Sequence, residues 1–229
     1  MKKMTVSKDG IIQGLKGIAP FSLSVFAYGL VYGILARTAH LDIPETLAMS
    51  VLVFAGSSQF AALSLIAQGA GGPVIVLTTF LINLRQALYG LSLGPHLKKL
   101  NRGSLALLAC GLTDESYGVT IQAFSRGYGS AGYFLGAGLG VFVPWVLSSL
   151  LGIILSAWIA DPLKFGLDFA FIGAFLGLLV AQINNRKLLL AALLSAAAAL
   201  CAQIYWSTTG AIITGGLCAF LLGVLIDAE

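Results

Sequence analysis

"TTFLINLRQALYGLSL", residues 78–93, opens as an apolar run fit for the middle of a membrane helix. It then sets Asn83, Arg85, Gln86 and Tyr89 within two helical turns. A guanidinium in that position needs a reason. The apolar context settles the class first. Of 229 residues, 58% are hydrophobic and 10% charged, far below the roughly one quarter charged that soluble domains carry. Mean hydropathy is +0.95. Apolar runs of about 20 residues recur along the chain, each long enough to cross a hydrocarbon core of about 30 Å as a helix. The expected fold is all-α: a polytopic membrane bundle of seven to eight hydrophobic segments forming a single domain over residues 1–229. The short alternating segments of a β-barrel are not seen.

The expected spans are about 17–39, 47–68, 73–95, 104–124, 131–160, 166–183, 188–206 and 210–226. Two are candidates for broken or re-entrant helices. The run 47–68 carries Phe54–Phe60, FAGSSQF, at its centre, and 131–160 is too long for one ordinary crossing and holds Pro144. The first run lacks the short core and cleavage site of a signal peptide and reads as a span. No nucleotide-binding loop remains between spans, so transport has to be passive or driven by an ion gradient.

The net charge is +4. The basic residues cluster between apolar runs: Lys2, Lys3, Lys8 and Lys16; Lys98, Lys99 and Arg102; Arg186 and Lys187. That pattern orients loops toward the cytoplasm and does not point to nucleic acid. If every run crosses once, the Lys98–Arg102 cluster falls outside. If the second and fifth runs dip in and return, all three clusters lie inside, with both termini; this is the expected topology. Cys110, Cys201 and Cys218 lie in apolar runs with neither metal-ligand spacing nor a disulfide framework. Small-xxx-small spacings (Gly29 and Gly33; Gly90 and Gly94; Gly132, Gly136 and Gly140; Gly173 and Gly177) suit close helix packing inside the chain or against a second membrane subunit. "HLDIPETLA" and "IADPLKFGLDFA" share a turn before a helix, a faint hint of an internal repeat.

Polarity is concentrated at three places within the membrane: Arg85 with its neighbours; Asp114 and Glu115 in "LTDESYGVT"; and the GSSQ of residues 56–59. Each ionised side chain at the bilayer centre costs about 2.5–3.5 kcal/mol, so Arg85, Asp114 and Glu115 together cost on the order of 8–10 kcal/mol if left alone. They must face the bundle interior or water, and pair. One cation balances one carboxylate; the second carboxylate must find another donor or hold a proton. Arg85 is therefore expected to hold an anion, with Asp114 and Glu115 as proton-coupling candidates. A buried pair that only fixes helix register is the structural alternative. A zwitterionic amino acid fits such a site, its carboxylate on Arg85 and its ammonium on Asp114 or Glu115. Ser57, Ser58, Gln59, Asn83 and Tyr89 are the further substrate-binding candidates. His40 and His96 read as loop or interface residues, Asp168 as interfacial, and Asp42 and Glu45 around Pro44 as a helix start. No nucleophile–base pair, metal-ligand cluster or cofactor loop stands out, so no catalytic residue, metal or cofactor is expected.

At these residues the chain resembles a known family. "GIAPFSLSVFAYGLVYGILA", "VFAGSSQFAAL", "INLRQALYGLSLGPHL" and "LLACGLTDESYGVT" are similar to segments of the AzlC family of bacterial branched-chain amino acid exporters, and "ADPLKFGLDFAFIGAFLGLLV" adds to the likeness. The resemblance implies a multi-pass protein of the bacterial inner membrane that exports hydrophobic amino acids with a small AzlD-type hydrophobic subunit. It carries over Phe54 to Phe60, Asn83, Leu84, Arg85, Tyr89, Gly90, Thr113, Asp114 and Glu115. The family commonly has His after the Arg of its Asn-Leu-Arg run; this chain has Gln86, which cannot titrate. A channel or uptake permease for another small solute, and a non-transporting scaffold subunit, are the rival readings.

Overall fold

The computed structural model describes residues 6–159 and 185–227, with isolated positions between at 166, 169, 176, 179, 180 and 183. It is all-helical among the described residues: α1 (Lys8–Thr38), α2 (Ile43–Ala48), a π-helical turn (Met49–Val53), α3 (Gly56–Ala67), α4 (Gly72–Leu97), α5 (Arg102–Ala109), α6 (Asp114–Ser125), α7 (Ala131–Ser156), α8 (Arg186–Tyr205) and α9 (Thr208–Asp227). Of these, α1, α4, α7 and α8 are long and apolar enough to cross a membrane. Most of the expected span 166–183, with Asp168 and the Gly173–Gly177 pair, lies outside the described residues.

The frame is the pair α1 and α7, which run parallel. Gly10 lies beside Gly132 near their first turns, and Gly33 beside Gly152 near their last. A Cβ on Gly33 would overlap the Ser149 carbonyl oxygen, and one on Gly152 the Leu30 carbonyl oxygen. Backbones this close gain dispersion contact that lipid cannot supply, which is how small residues drive association where water is absent. Gly90 and Gly94 of α4 are different: nothing lies within 4 Å of a Cβ placed on either.

The run 47–68 is broken, as its polar centre suggests. Asp42 and Glu45 form a capping box with Pro44 in the first turn, so α2 starts cleanly. The π turn then leads to Phe54, which takes a left-handed backbone with φ 42°. The GSSQ side chains serve this break. Ser58 Oγ donates to the Ala55 carbonyl at 2.9 Å, and Gln59 Oε1 accepts the Ala55 N–H at 3.2 Å. The two halves form a re-entrant hairpin. α2 starts at the end of the bundle where α1 stops; Phe54 reaches Phe142 halfway along α7, ring centroids 5.0 Å apart; and the last turns of α3 return to face Leu35 and Thr38 of α1.

The second re-entrant segment is not the expected one. Within the run 131–160, Ala131–Ser156 form one continuous helix, α7, through Pro144. Proline at 144 deprives the Gly140 carbonyl of its donor four residues on. Ser22 Oγ of α1 donates to that carbonyl at 2.8 Å and replaces the missing bond. The run 104–124, expected to cross whole, is the broken one. α5 enters from the end where α4 stops, Gly111 packs on Gly138 of α7, and α6 runs back beside α4. Thr113 and Ser116 make a second capping box, so "LTDESYG" is a helix start in mid-membrane rather than a polar stretch of helix. His96 near the end of α4 stacks on Phe124 near the end of α6, ring centroids 4.6 Å apart. The two hairpins thus enter from opposite ends, and their tips approach the middle. α8 and α9 pack on each other.

Candidate functional site

The first turns of α3 and α6 meet across a cavity against α1, α4 and α7. Gly56 and Ser57 line it from α3, and Thr113, Asp114 and Glu115 from the start of α6. Arg85 and Gln86 face it from α4, Val25 and Tyr28 from α1, and Val141 and Trp145 from α7. The space is about 70 Å³, on a measure by which one water needs roughly 10–15 Å³. Several waters fit. Both helix starts turn the positive ends of their dipoles toward this space. α6 meets its own dipole with Asp114 and Glu115, whereas the first turn of α3 carries no acidic residue.

Arg85 crosses between the hairpins. Its Nη2 lies 2.9 Å from Asp114 Oδ2 and also donates to Ser57 Oγ. Asp114 Oδ1 accepts the Tyr89 hydroxyl at 2.7 Å. The Tyr89 ring stacks on Tyr117 at 4.2 Å, and Tyr117 donates to Ser92 Oγ at 3.0 Å. The ion pair is about one third exposed on each side, 31% and 32%. It is neither snorkelling in bulk water nor sealed in a dry core. The expected anion for Arg85 is, in this structure, the chain's own Asp114. Arg85 Nε has no hydrogen-bond partner among the described residues.

Of the sequence-predicted binding residues, Ser57, Arg85, Asp114 and Glu115 come together around the cavity. Tyr89 joins them by holding Asp114. Ser58 and Gln59 are fully buried and tie the backbone of the first break. Asn83 is partly buried outside the cavity lining, and its Oδ1 has no hydrogen-bond partner among the described residues. Gln86, where the resembled family commonly has His, faces the cavity. Sequence reasoning did not single out Trp145, 5% exposed, or Tyr28. Both sit in apolar runs with no local signal; only the return of each hairpin tip to mid-membrane brings them to the site. No group of three metal-ligating side chains occurs among the described residues.

The family model described as "AzlC protein" matches residues 20–159, which takes in both hairpins, α4, α7 and every residue of the cavity. The chain belongs to the AzlC family. AzlC relatives include an "Uncharacterized membrane protein" of Archaeoglobus fulgidus, 29% identical over 95% of this chain and 96% of that one. The "Inner membrane protein YgaZ" of Escherichia coli is 24% identical over 93% and 89%. The "Branched-chain amino acid transport protein AzlC" of Bacillus subtilis is 26% identical over 73% and 67%. No solved structure matches significantly. This AzlC-family chain is thus a multi-pass membrane protein, and its Bacillus subtilis relative is named a transport protein.

Proposed function

We propose that this chain is a secondary transporter that exports branched-chain or other hydrophobic amino acids across the bacterial inner membrane, as one transport domain and as the large subunit of a two-subunit permease with a small AzlD-like hydrophobic partner. The observation that carries the reading is the Arg85–Asp114 ion pair, placed at 2.9 Å between two re-entrant helix starts on a cavity with room for several waters. A zwitterion carries the same two charges as that pair. It enters by replacing each partner with its own group: its carboxylate takes Arg85, with the uncapped start of α3 behind it, and its ammonium takes Asp114 or Glu115. Val25, Phe54, Phe60, Val141 and Trp145 offer an apolar wall to an aliphatic side chain. With no ammonium bound, a proton on one carboxylate balances the site; exchange of the two couples export to the proton gradient. The basic residues Lys98, Lys99, Arg102 and Arg126 gather at the end where α1 and α7 begin, which supports assigning that end to the cytoplasm.

The reading is tested in cells loaded with a leucine-containing dipeptide. Leucine efflux should depend on this chain, stop when a protonophore collapses the gradient, and be lost in Arg85→Ala at unchanged membrane abundance. Normal efflux from that variant removes Arg85 from the mechanism. Efflux that continues down the leucine gradient without a proton gradient identifies a channel instead.

A further inference from the structure

We infer that α1–α3 and α4–α6 are two copies of one unit in opposite orientation, and that Phe60 and Tyr117 are matching gates at the two ends of one pathway through the cavity. The word pathway rests on the transport reading above; the repeat and the gates do not depend on which solute moves.

The chain order of the two units is the same. Each has a long helix, a short helix entering from the end where the long one stops, a break at mid-membrane, and a returning half-helix. α1 and α4 end 59 positions apart, at Thr38 and Leu97; α3 and α6 begin 58 apart and are both 12 residues long. Inside the units the match is closer. Val31-Tyr32-Gly33 and Leu88-Tyr89-Gly90 stand 57 apart, and so do Phe60 and Tyr117. These matched residues form matched contacts: Tyr32 packs on Phe60 at 5.9 Å, and Tyr89 on Tyr117 at 4.2 Å. Ser57 and Asp114 are also 57 apart, and both hold Arg85. Tyr28 and Arg85 are 57 apart, and both line the cavity. Packing repeats too: α3 contacts α1 and α4, while α6 contacts α4 and α7. The cavity therefore lies where the two units face each other, as expected for transporters built from inverted repeats.

The two units are not in the same state. Between α1 and α3 an apolar groove of about 270 Å³ is lined by Leu35, Ala39, Phe60 and Ala67. The matching residues of the second unit, 57 positions on, are Ser92, His96, Tyr117 and Phe124. There they touch: Tyr117 donates to Ser92 at 3.0 Å, and His96 stacks on Phe124 at 4.6 Å. Apart from the Tyr32–Phe60 contact, the first hairpin leaves this groove against its long helix, whereas the second is latched to its own at the same level. Phe60 lines both the groove and the cavity, so it is the partition between them. Exchanging the two states would open the second end and close the first around an unchanged α1–α7 frame.

The test uses the full chain in native membrane vesicles of both orientations, with Cys110→Ala, Cys201→Ala and Cys218→Ala as background and a membrane-impermeant maleimide as probe. Ser64→Cys lies in the groove; Ile121→Cys, its counterpart 57 positions on, packs in the closed second unit. Ser64→Cys should label from one face and Ile121→Cys should be protected. Adding Tyr117→Phe, which removes the latch to Ser92, should raise Ile121→Cys labelling roughly five- to tenfold, the scale of one net hydrogen bond. It should lower Ser64→Cys labelling in parallel. Grafting the latch the other way, Leu35→Ser with Phe60→Tyr, should protect Ser64→Cys. Labelling of both cysteines together, labelling from the same face, or no response to either change overturns the inference. Leucine efflux from the same vesicles reports on the substrate alone: reciprocal labelling without efflux leaves the gates standing and removes the amino acid.

Discussion

Asp114 at the tip of the second hairpin and Arg85 of α4 are joined at 2.9 Å, and the second oxygen of Asp114 is already taken by Tyr89. The pair is worth little as stability at one third exposure, because solvent screens it. Breaking one side is another matter, since it strands a charge in a half-buried site. Arg85→Gln should lower stability by about 1–2 kcal/mol, and Asp114→Asn added to it should restore most of that loss. Thermal unfolding of the purified protein in detergent checks both. Efflux should be lost in both variants. A double variant less stable than the single one would show that the pair has no mutual role.

Tyr89→Phe keeps the ring on Tyr117 and removes only the hydroxyl that Asp114 accepts. The expected cost is about 1 kcal/mol in stability. A freer Asp114 should also swing from Arg85 more readily, so the apparent affinity for leucine should rise as maximal efflux changes. Concentration-dependent efflux separates the two parameters; a proportional fall of both would indicate plain loss of folded protein.

Glycine positions divide by what surrounds them. Gly33→Ala drives a methyl into the Ser149 backbone, where nothing flexible can yield. It should cost about 1–3 kcal/mol, as overpacking does. Gly90→Ala meets open space and should leave the melting temperature in detergent within a degree or two. Equal effects at the two sites would contradict the close α1–α7 approach.

Gln86→His introduces a titratable ring at the cavity wall. Its ordinary pKa is about 6.5, so the efflux profiles of parent and variant should coincide well above that pH. Below it, an imidazolium adds a second positive charge at the cavity wall, which opposes the arrival of a further proton there. Efflux in the variant should therefore fall on the acid side. Superimposable profiles from pH 5 to 8 would exclude position 86 from contact with the coupling groups.

How far these features were legible depended on the kind of signal. Membrane class and the α2 start were written locally, in apolar length and in Asp42-Ile-Pro-Glu45. Residues 56–59 gave away a break because Gly, Ser and Gln weaken a helix in lipid. Residues 113–116 carried an equal sign, a Thr capping the N–H of a Ser three residues on, with acids in the first turn. The flanking apolar length matches one crossing and so favours polarity within a helix over a helix start. Pro144 misled for the opposite reason. Its effect depends on Ser22, more than a hundred positions away, and no local pattern reports that partner. Arg85, Ser57 and Asp114 could each be nominated singly, but their meeting needed the course of both hairpins.

The hydrogen bond from Ser22 to Gly140 also bears on biogenesis. The two residues are 118 positions apart, so α1 leaves the ribosome long before α7 exists. When α7 enters the bilayer, its Gly140 carbonyl has no donor of its own, and an unmet carbonyl in hydrocarbon costs several kcal/mol. The late helix is thus driven to find the first one and to settle beside it in a single register, with Ser22 as the pin. A Ser22→Ala chain should therefore show its defect in nascent or newly inserted protein, as a longer-lived protease-sensitive form, more than in the melting of molecules already assembled.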